Sequence, residues 1–89
     1  MNEIEIKIED NKITLILKNE DQVVDELSWS EKHNLSGELL GRIDELITNN
    51  NVERNDVKNV WVNTDIDEKF TTVRIAKVVA NTFNYVNES

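Results

Sequence analysis

Val57-Lys-Asn-Val-Trp-Val-Asn-Thr-Asp-Ile-Asp-Glu-Lys-Phe-Thr-Thr-Val-Arg-Ile-Ala-Lys-Val-Val-Ala-Asn-Thr-Phe-Asn-Tyr-Val86 is the stretch from which the architecture follows. It opens as a β-run over Val60, Trp61 and Val62, crosses an acidic turn, and continues with helical spacing. At about 100° per residue, Arg74, Lys77, Asn81 and Asn84 share one narrow polar stripe. The remaining circumference divides into two apolar arcs, where an ordinary surface helix has one. Ile75, Val78, Thr82, Tyr85 and Val86 make a bulky arc suited to a sheet. Thr72, Ala76, Ala80 and Phe83 make a mostly small arc suited to another helix at close range. The spacing therefore predicts a final helix with a second face left for a partner.

Upstream, Glu3 to Glu9 alternates strictly, with Ile4, Ile6 and Ile8 on one side and Glu3, Glu5, Lys7 and Glu9 on the other. Period two predicts a strand with one dry and one wet face. Asp10-Asn11 and Asn19-Glu-Asp21 are turn sequences, because Asn and Asp tolerate left-handed backbone. They join the first strand to Lys12–Lys18 and that strand to Val23–Trp29, an antiparallel meander. Asn34 or Ser36 can cap a helix running to about Thr48, with Leu35, Leu39, Leu40, Ile43, Leu46 and Ile47 as its apolar stripe. Gly37 and Gly41 lie together off that stripe. Glycine inside a helix costs roughly 0.5–1 kcal/mol against alanine, so a close backbone contact there competes with a tolerated surface glycine. The Asn49-Asn50-Asn51 run ends the helix, Val57–Asn63 is a fourth strand, and Asp65-x-x-Glu68 reads as a capping box.

The element order is thus βββαβα in a single domain, residues 1–89. A right-handed helical crossover makes the fourth strand parallel to the third and the first. Strands covered on both faces read as continuous apolar runs. The charged row on the first strand instead predicts an α/β (α+β two-layer) protein: a mixed four-stranded sheet with both helices on one face.

Phe70-Thr-Thr-Val-Arg-Ile-Ala76, followed by Lys77, Ala80 and Tyr85, resembles the Ser-Phe-Thr-Gly-x-Arg-Ile-Gly helix of the TsaB (YeaZ-like) family. Trp29-Ser-Glu-Lys-His and Leu39-Leu-x-x-Ile-Asp-Glu-Leu-Ile47 extend the resemblance upstream, so that it covers the N-terminal lobe of that family. The resemblance implies the first lobe of the actin–Hsp70–sugar kinase superfold, with strand order 3-2-1-4. It also implies non-catalytic support of a TsaD-like partner in making the threonylcarbamoyladenosine modification of tRNA. The lobe would pair through its two helices, with that partner or with a second copy of itself. Gly37, Leu40, Gly41, Asp44, Thr72, Val73, Ala76, Lys77 and Ala80 are the candidate partner-binding residues.

Composition bounds the alternatives. The chain has 89 residues, 38% of them hydrophobic and 31% charged, which is a globular profile. It has no cysteine, and therefore neither a disulfide framework nor a thiolate nucleophile. No signal segment opens it and no apolar run approaches bilayer length, so a cytoplasmic location is expected. A formal net charge of −8 opposes direct binding to phosphate backbones. Where the family carries a hydroxyl-bearing turn this chain has Glu9-Asp-Asn-Lys12, and Ile66-Asp-Glu-Lys69 replaces a glycine-rich turn. Carboxylates there repel phosphate and suit a helix N-terminus. His33 is the single histidine, in a polar connection, and reads as a solvated loop residue. Trp29 and Trp61 read as core residues. One histidine with scattered Ser and Thr assembles no nucleophile–base pair, and the acids have no EF-hand spacing. No enzyme activity, cofactor or metal is expected. Two other readings compete: an acidic decoy or regulator on the same helical surface, and a residual nucleotide-binding domain.

Overall fold

The computed structural model describes residues 1–9, 12–30, 35–65 and 71–88. Four strands, β1 (Asn2–Glu9), β2 (Lys12–Asn19), β3 (Gln22–Ser30) and β4 (Val57–Thr64), form one sheet in the order β3-β2-β1-β4. β1 pairs antiparallel with β2 and β2 antiparallel with β3, while β4 runs parallel to β1. Helix α1 (Leu35–Asn49) links β3 to β4, and α2 (Thr71–Glu88) follows. The expected order, pairing and topology are all present. The Asp10-Asn11 turn, the Asn34 cap, His33 and the Ile66–Lys69 segment lie outside the described residues.

Alternation builds one core. Ile4, Ile6 and Ile8 of β1 stand beside Ile13, Leu15 and Leu17 of β2, all buried. Leu39, Ile43, Leu46 and Ile47 of α1 and Val73, Ala76, Val79, Ala80 and Phe83 of α2 close over them. Both helices therefore cover the same face. Val57 and Val60 lie three residues apart, yet both are buried in this core. A register irregularity in β4, with Asn2 opposite Val57 and Glu3 opposite Asn59, resets the alternation between them.

Local chemistry sets the ends. Glu20 and Asp21 adopt φ values of 51° and 68° between β2 and β3, as a tight turn matching the strand twist requires. Asn51 adopts φ 57° after α1, and the Val52 N–H donates to the Ile47 carbonyl at 2.9 Å, terminating the helix. Asn50 ties that end to β3, its Nδ2 donating to Leu46 O at 2.8 Å and Asp25 Oδ2 at 3.0 Å.

The rotation of α2 is the reverse of the sequence expectation. The small arc faces inward: Ala76 and Ala80 are buried, with Val73, Val79 and Phe83 beside them. The bulky arc faces out: Ile75 is half-buried and Val78 is 63% exposed. Two physical reasons favour this rotation. The sheet surface is already filled by isoleucine and leucine, so alanine lets α2 approach where a second bulky layer would overpack. In addition, Asn84 is hydrogen-bonded to β4. Its Oδ1 accepts from the Val60 N–H at 2.8 Å and its Nδ2 donates to the Val60 carbonyl at 2.9 Å. That pair of bonds turns the Asn84 side of α2 toward the sheet edge.

Candidate docking surface

The inward turn of α2 decides which of the candidate residues are accessible. Val73, Ala76 and Ala80 lie in the core, at 0%, 0% and 4% exposure, and support the helical surface from beneath. Thr72 and Lys77 are half-buried. On α1, Leu40 is 42% exposed, and Gly41 and Asp44 are exposed. Gly37 lies in the first turns of α1, within Leu35–Asn49. A Cβ built on Gly41 would meet nothing within 4 Å, so no close approach within this chain requires glycine there.

What α2 offers to solvent is apolar. Thr71, Arg74, Ile75, Val78 and Val79 line a groove of about 350 Å³ on its outer side. Ile75 packs at the margin of the core, Val78 projects away from it, and the exposed Arg74 borders both. This surface was hidden in the sequence because Ile75 and Val78 are the residues that periodicity assigns to the sheet. Which of two apolar arcs is buried depends on the surface beneath, and a helical wheel does not contain that surface.

The acidic residues of α1 are engaged within the chain. Arg42 bridges Glu38 at 3.6 Å and Glu45 at 3.8 Å, one helical turn to either side. Arg54, just before β4, holds Asp44 at 2.7 Å and also lies over the Phe83 ring at 5.5 Å. These exposed pairs each contribute little, roughly 0–1 kcal/mol. They nonetheless partly neutralise the acids that a basic partner helix would meet.

The opposite face of the sheet carries a second feature that the sequence reading placed in water. Glu5 is only 6% exposed. It stands opposite Ile16 on β2 and Trp61 on β4, and these flank its stem. Trp61 is consequently a half-buried residue of the open face rather than of the core, because Val60 and Val62 on either side take the positions opposite Ile4 and Ile6. Glu5 accepts from Lys18 Nζ at 2.8 Å and Asn63 Nδ2 at 2.8 Å. Lys18 in turn lies 5.6 Å over the Trp61 ring. The Lys18 and Asn63 hydrogen bonds hold the Glu5 carboxyl below its usual value, while the Glu5 bond raises Lys18 above its own. Trp29 does pack against the core, with Arg42 over its ring at 5.5 Å.

Among the described residues no group of three or more His, Asp or Glu side chains converges as a metal site would. No helix among them is long and apolar enough to cross a membrane. No protein-family model matches the sequence, and no curated protein matches it. Solved structures do match. YeaZ from Pseudomonas aeruginosa superposes with a TM-score of 0.81 at 16% identity, over 98% of this chain and 40% of that one. A second structure, of an uncharacterized protein with similarity to peptidase YeaZ from Pseudomonas aeruginosa, gives 0.81 and 16%, over 98% of this chain and 39% of that one. The fold of this chain is therefore YeaZ-like along nearly all of its own length, and the chain spans about two-fifths of the structures it matches.

Proposed function

We propose that this chain is a non-catalytic, TsaB-like interaction module. Its helical layer docks a TsaD-like protein or a second copy of itself, and through the TsaD-like partner it supports threonylcarbamoyladenosine modification of tRNA. The observation that carries the reading is the outer surface of α2, where Ile75 and the 63%-exposed Val78 line an apolar groove beside Arg74. The YeaZ-like fold supports placing the chain near that family. The docking residues are then the accessible members of the candidate set, Leu40, Gly41 and Asp44 on α1 with Thr72 and Lys77 on α2. Gly37 joins them from the start of α1, and Ile75 and Val78 are added. Val73, Ala76 and Ala80 act indirectly, by holding α2 at its distance from the sheet. An exposed apolar stripe of this kind suits a partner helix laid into it.

The test is capture of a purified TsaD-like protein by the native chain and by Val78→Arg. The native chain is expected to retain it and the variant to lose it, with both melting alike. Equal retention by the two chains would remove the α2 groove from the interface. No retention by either would leave self-pairing as the remaining form of the reading.

A further inference from the structure

We infer that Asn84 is a built-in substitute for a neighbouring strand, closing the free edge of β4 against sheet extension by a second copy of this chain. Among the described residues β4 pairs with β1 on one side and with no strand on the other, so its outward N–H and C=O groups are a template for another strand. In a parallel ladder a residue turns both of its backbone groups to the same side, and the side alternates along the strand. Val60 turns both outward, and the Asn84 amide meets both, accepting at 2.8 Å and donating at 2.9 Å. A primary amide has the same donor and acceptor pair as a peptide group, so one side chain reproduces what an added strand would supply at that position.

The surroundings fit this role. Asn59, Val60, Trp61, Val62, Lys77, Ala80, Asn81 and Asn84 enclose a groove of about 300 Å³ between β4 and α2. Val62, two residues beyond Val60, presents its backbone groups to the same side. The other edge of the sheet is blunted by a different device. Leu17 pairs with Asp25 and Lys18 with Val23, which leaves Val24 as an extra residue that breaks the ladder of β3. β3 still exposes Val23, Val24 and Glu26, and the turn leading into it carries Glu20 and Asp21. Lys58 lies within β4, and Lys77 of α2 lines the groove beside it. A second copy therefore offers an apolar, acidic edge to a β4 edge with basic neighbours, and Asn84 occupies the middle of that edge. Asn is a poor residue for a helix interior, and this contact accounts for its place in α2.

The experiment compares Asn84→Ala with the native chain by residue-resolved amide hydrogen exchange and sedimentation, both in a Val78→Arg background that removes association through the α2 groove. At low micromolar concentration the Val60 amide of Asn84→Ala is expected to exchange at least tenfold faster, with the Ile6 and Leu15 amides unchanged. At high concentration the variant associates and the Val60 amide becomes protected again, because a strand from another copy replaces the lost amide. The native side chain keeps the chain monomeric throughout. A variant that stays monomeric at millimolar concentration overturns the inference. So does one that associates while its Val60 amide remains exposed. If Asn84→Ala is unfolded in buffer, the same two readouts are taken in an osmolyte that restores the fold.

Discussion

Glu5 on β1 and Lys18 on β2 form an ion pair with Oε1 and Nζ 2.8 Å apart, on the sheet face that the helices do not cover. Lys18 stands opposite Glu3 in the ladder, so it reaches diagonally to Glu5, and its ammonium continues over Trp61. The glutamate side chain is 8% exposed and the lysine side chain 29%. A carboxylate in the central part of the sheet is thus roofed by its neighbours instead of being solvated.

Substitutions along β1 should divide accordingly. Glu5→Ala is expected to cost about 1.5–3 kcal/mol, the range for losing hydrogen bonds to a buried charged group. Lys7→Ala, which removes an exposed ion pair with Glu9 at 3.7 Å, should change stability by no more than about 0.5 kcal/mol. Ile6→Ala, on the helix-covered face, should cost about 2–5 kcal/mol. Urea unfolding of the three variants checks the ranking. Equal, negligible effects at Glu5 and Lys7 would show that the roof over Glu5 is not maintained in solution.

The same pair sets a pH dependence. Lys18 and Asn63 depress the folded-state value of Glu5 below the ordinary 4.5. Its stabilising contribution is therefore complete above about pH 4.5 and is lost as pH falls through the depressed value. Asp25, lowered by the Asn50 amide and the Glu26 N–H, acts in the same direction. Lys18 is raised above 10.5, so its contribution is complete below that pH and fades as pH rises through the raised value. Melting temperature followed from pH 7 to pH 3 should fall less steeply for Glu5→Gln than for the native chain. Parallel curves would mean that other carboxylates dominate acid unfolding.

Gly41 permits a separation of folding from docking. Its added Cβ meets nothing and its φ is not positive, so Gly41→Ala should raise stability by about 0.5–1 kcal/mol through helix propensity. If α1 contributes to an interface at this point, Gly41→Arg should remain folded and lose partner binding. Circular dichroism melts with a binding assay read both quantities.

Self-association through the helical layer is testable without a partner. The native chain should show a monomer–dimer equilibrium by light scattering at tens of micromolar, consistent with a two-fold contact. Val78→Arg should shift it to monomer with an unchanged melt. Ala80→Arg is not a clean probe, because Ala80 is buried and a charge there would unfold the chain. A native monomer at that concentration would leave the TsaD-like protein as the only remaining occupant of the α2 groove.

Magnesium ATP should leave the melting temperature unchanged, since, on the resemblance to the TsaB family, the Glu9–Lys12 and Ile66–Lys69 sequences carry acids where that superfold's phosphate-binding turns carry glycine and hydroxyl groups. A ligand at about 100 times its Kd would add roughly 2.7 kcal/mol, which a melt resolves easily. A clear rise in millimolar ATP would restore the nucleotide-binding reading.

Strand alternation, turn residues and helix periodicity were sufficient for the element order, the antiparallel meander and the single covered face, while the strand order 3-2-1-4 was implied by the resemblance to the TsaB family. Each of those signals is a local pattern, and Ile4-Glu5-Ile6 or Asn49-Asn50-Asn51 carries its meaning within a few residues. Three features were decided only by the tertiary structure. Glu5 looks solvated in its own strand and is buried because Ile16, Trp61 and Lys18 arrive from two others. Val78 looks like core and is exposed because the sheet already fills the space it would need. Asn84 belongs to a polar stripe on the helical wheel and instead bonds the backbone of β4, 24 residues earlier in the chain. In all three cases burial and partner choice depend on neighbours distant in sequence, and periodicity within one element contains no record of them.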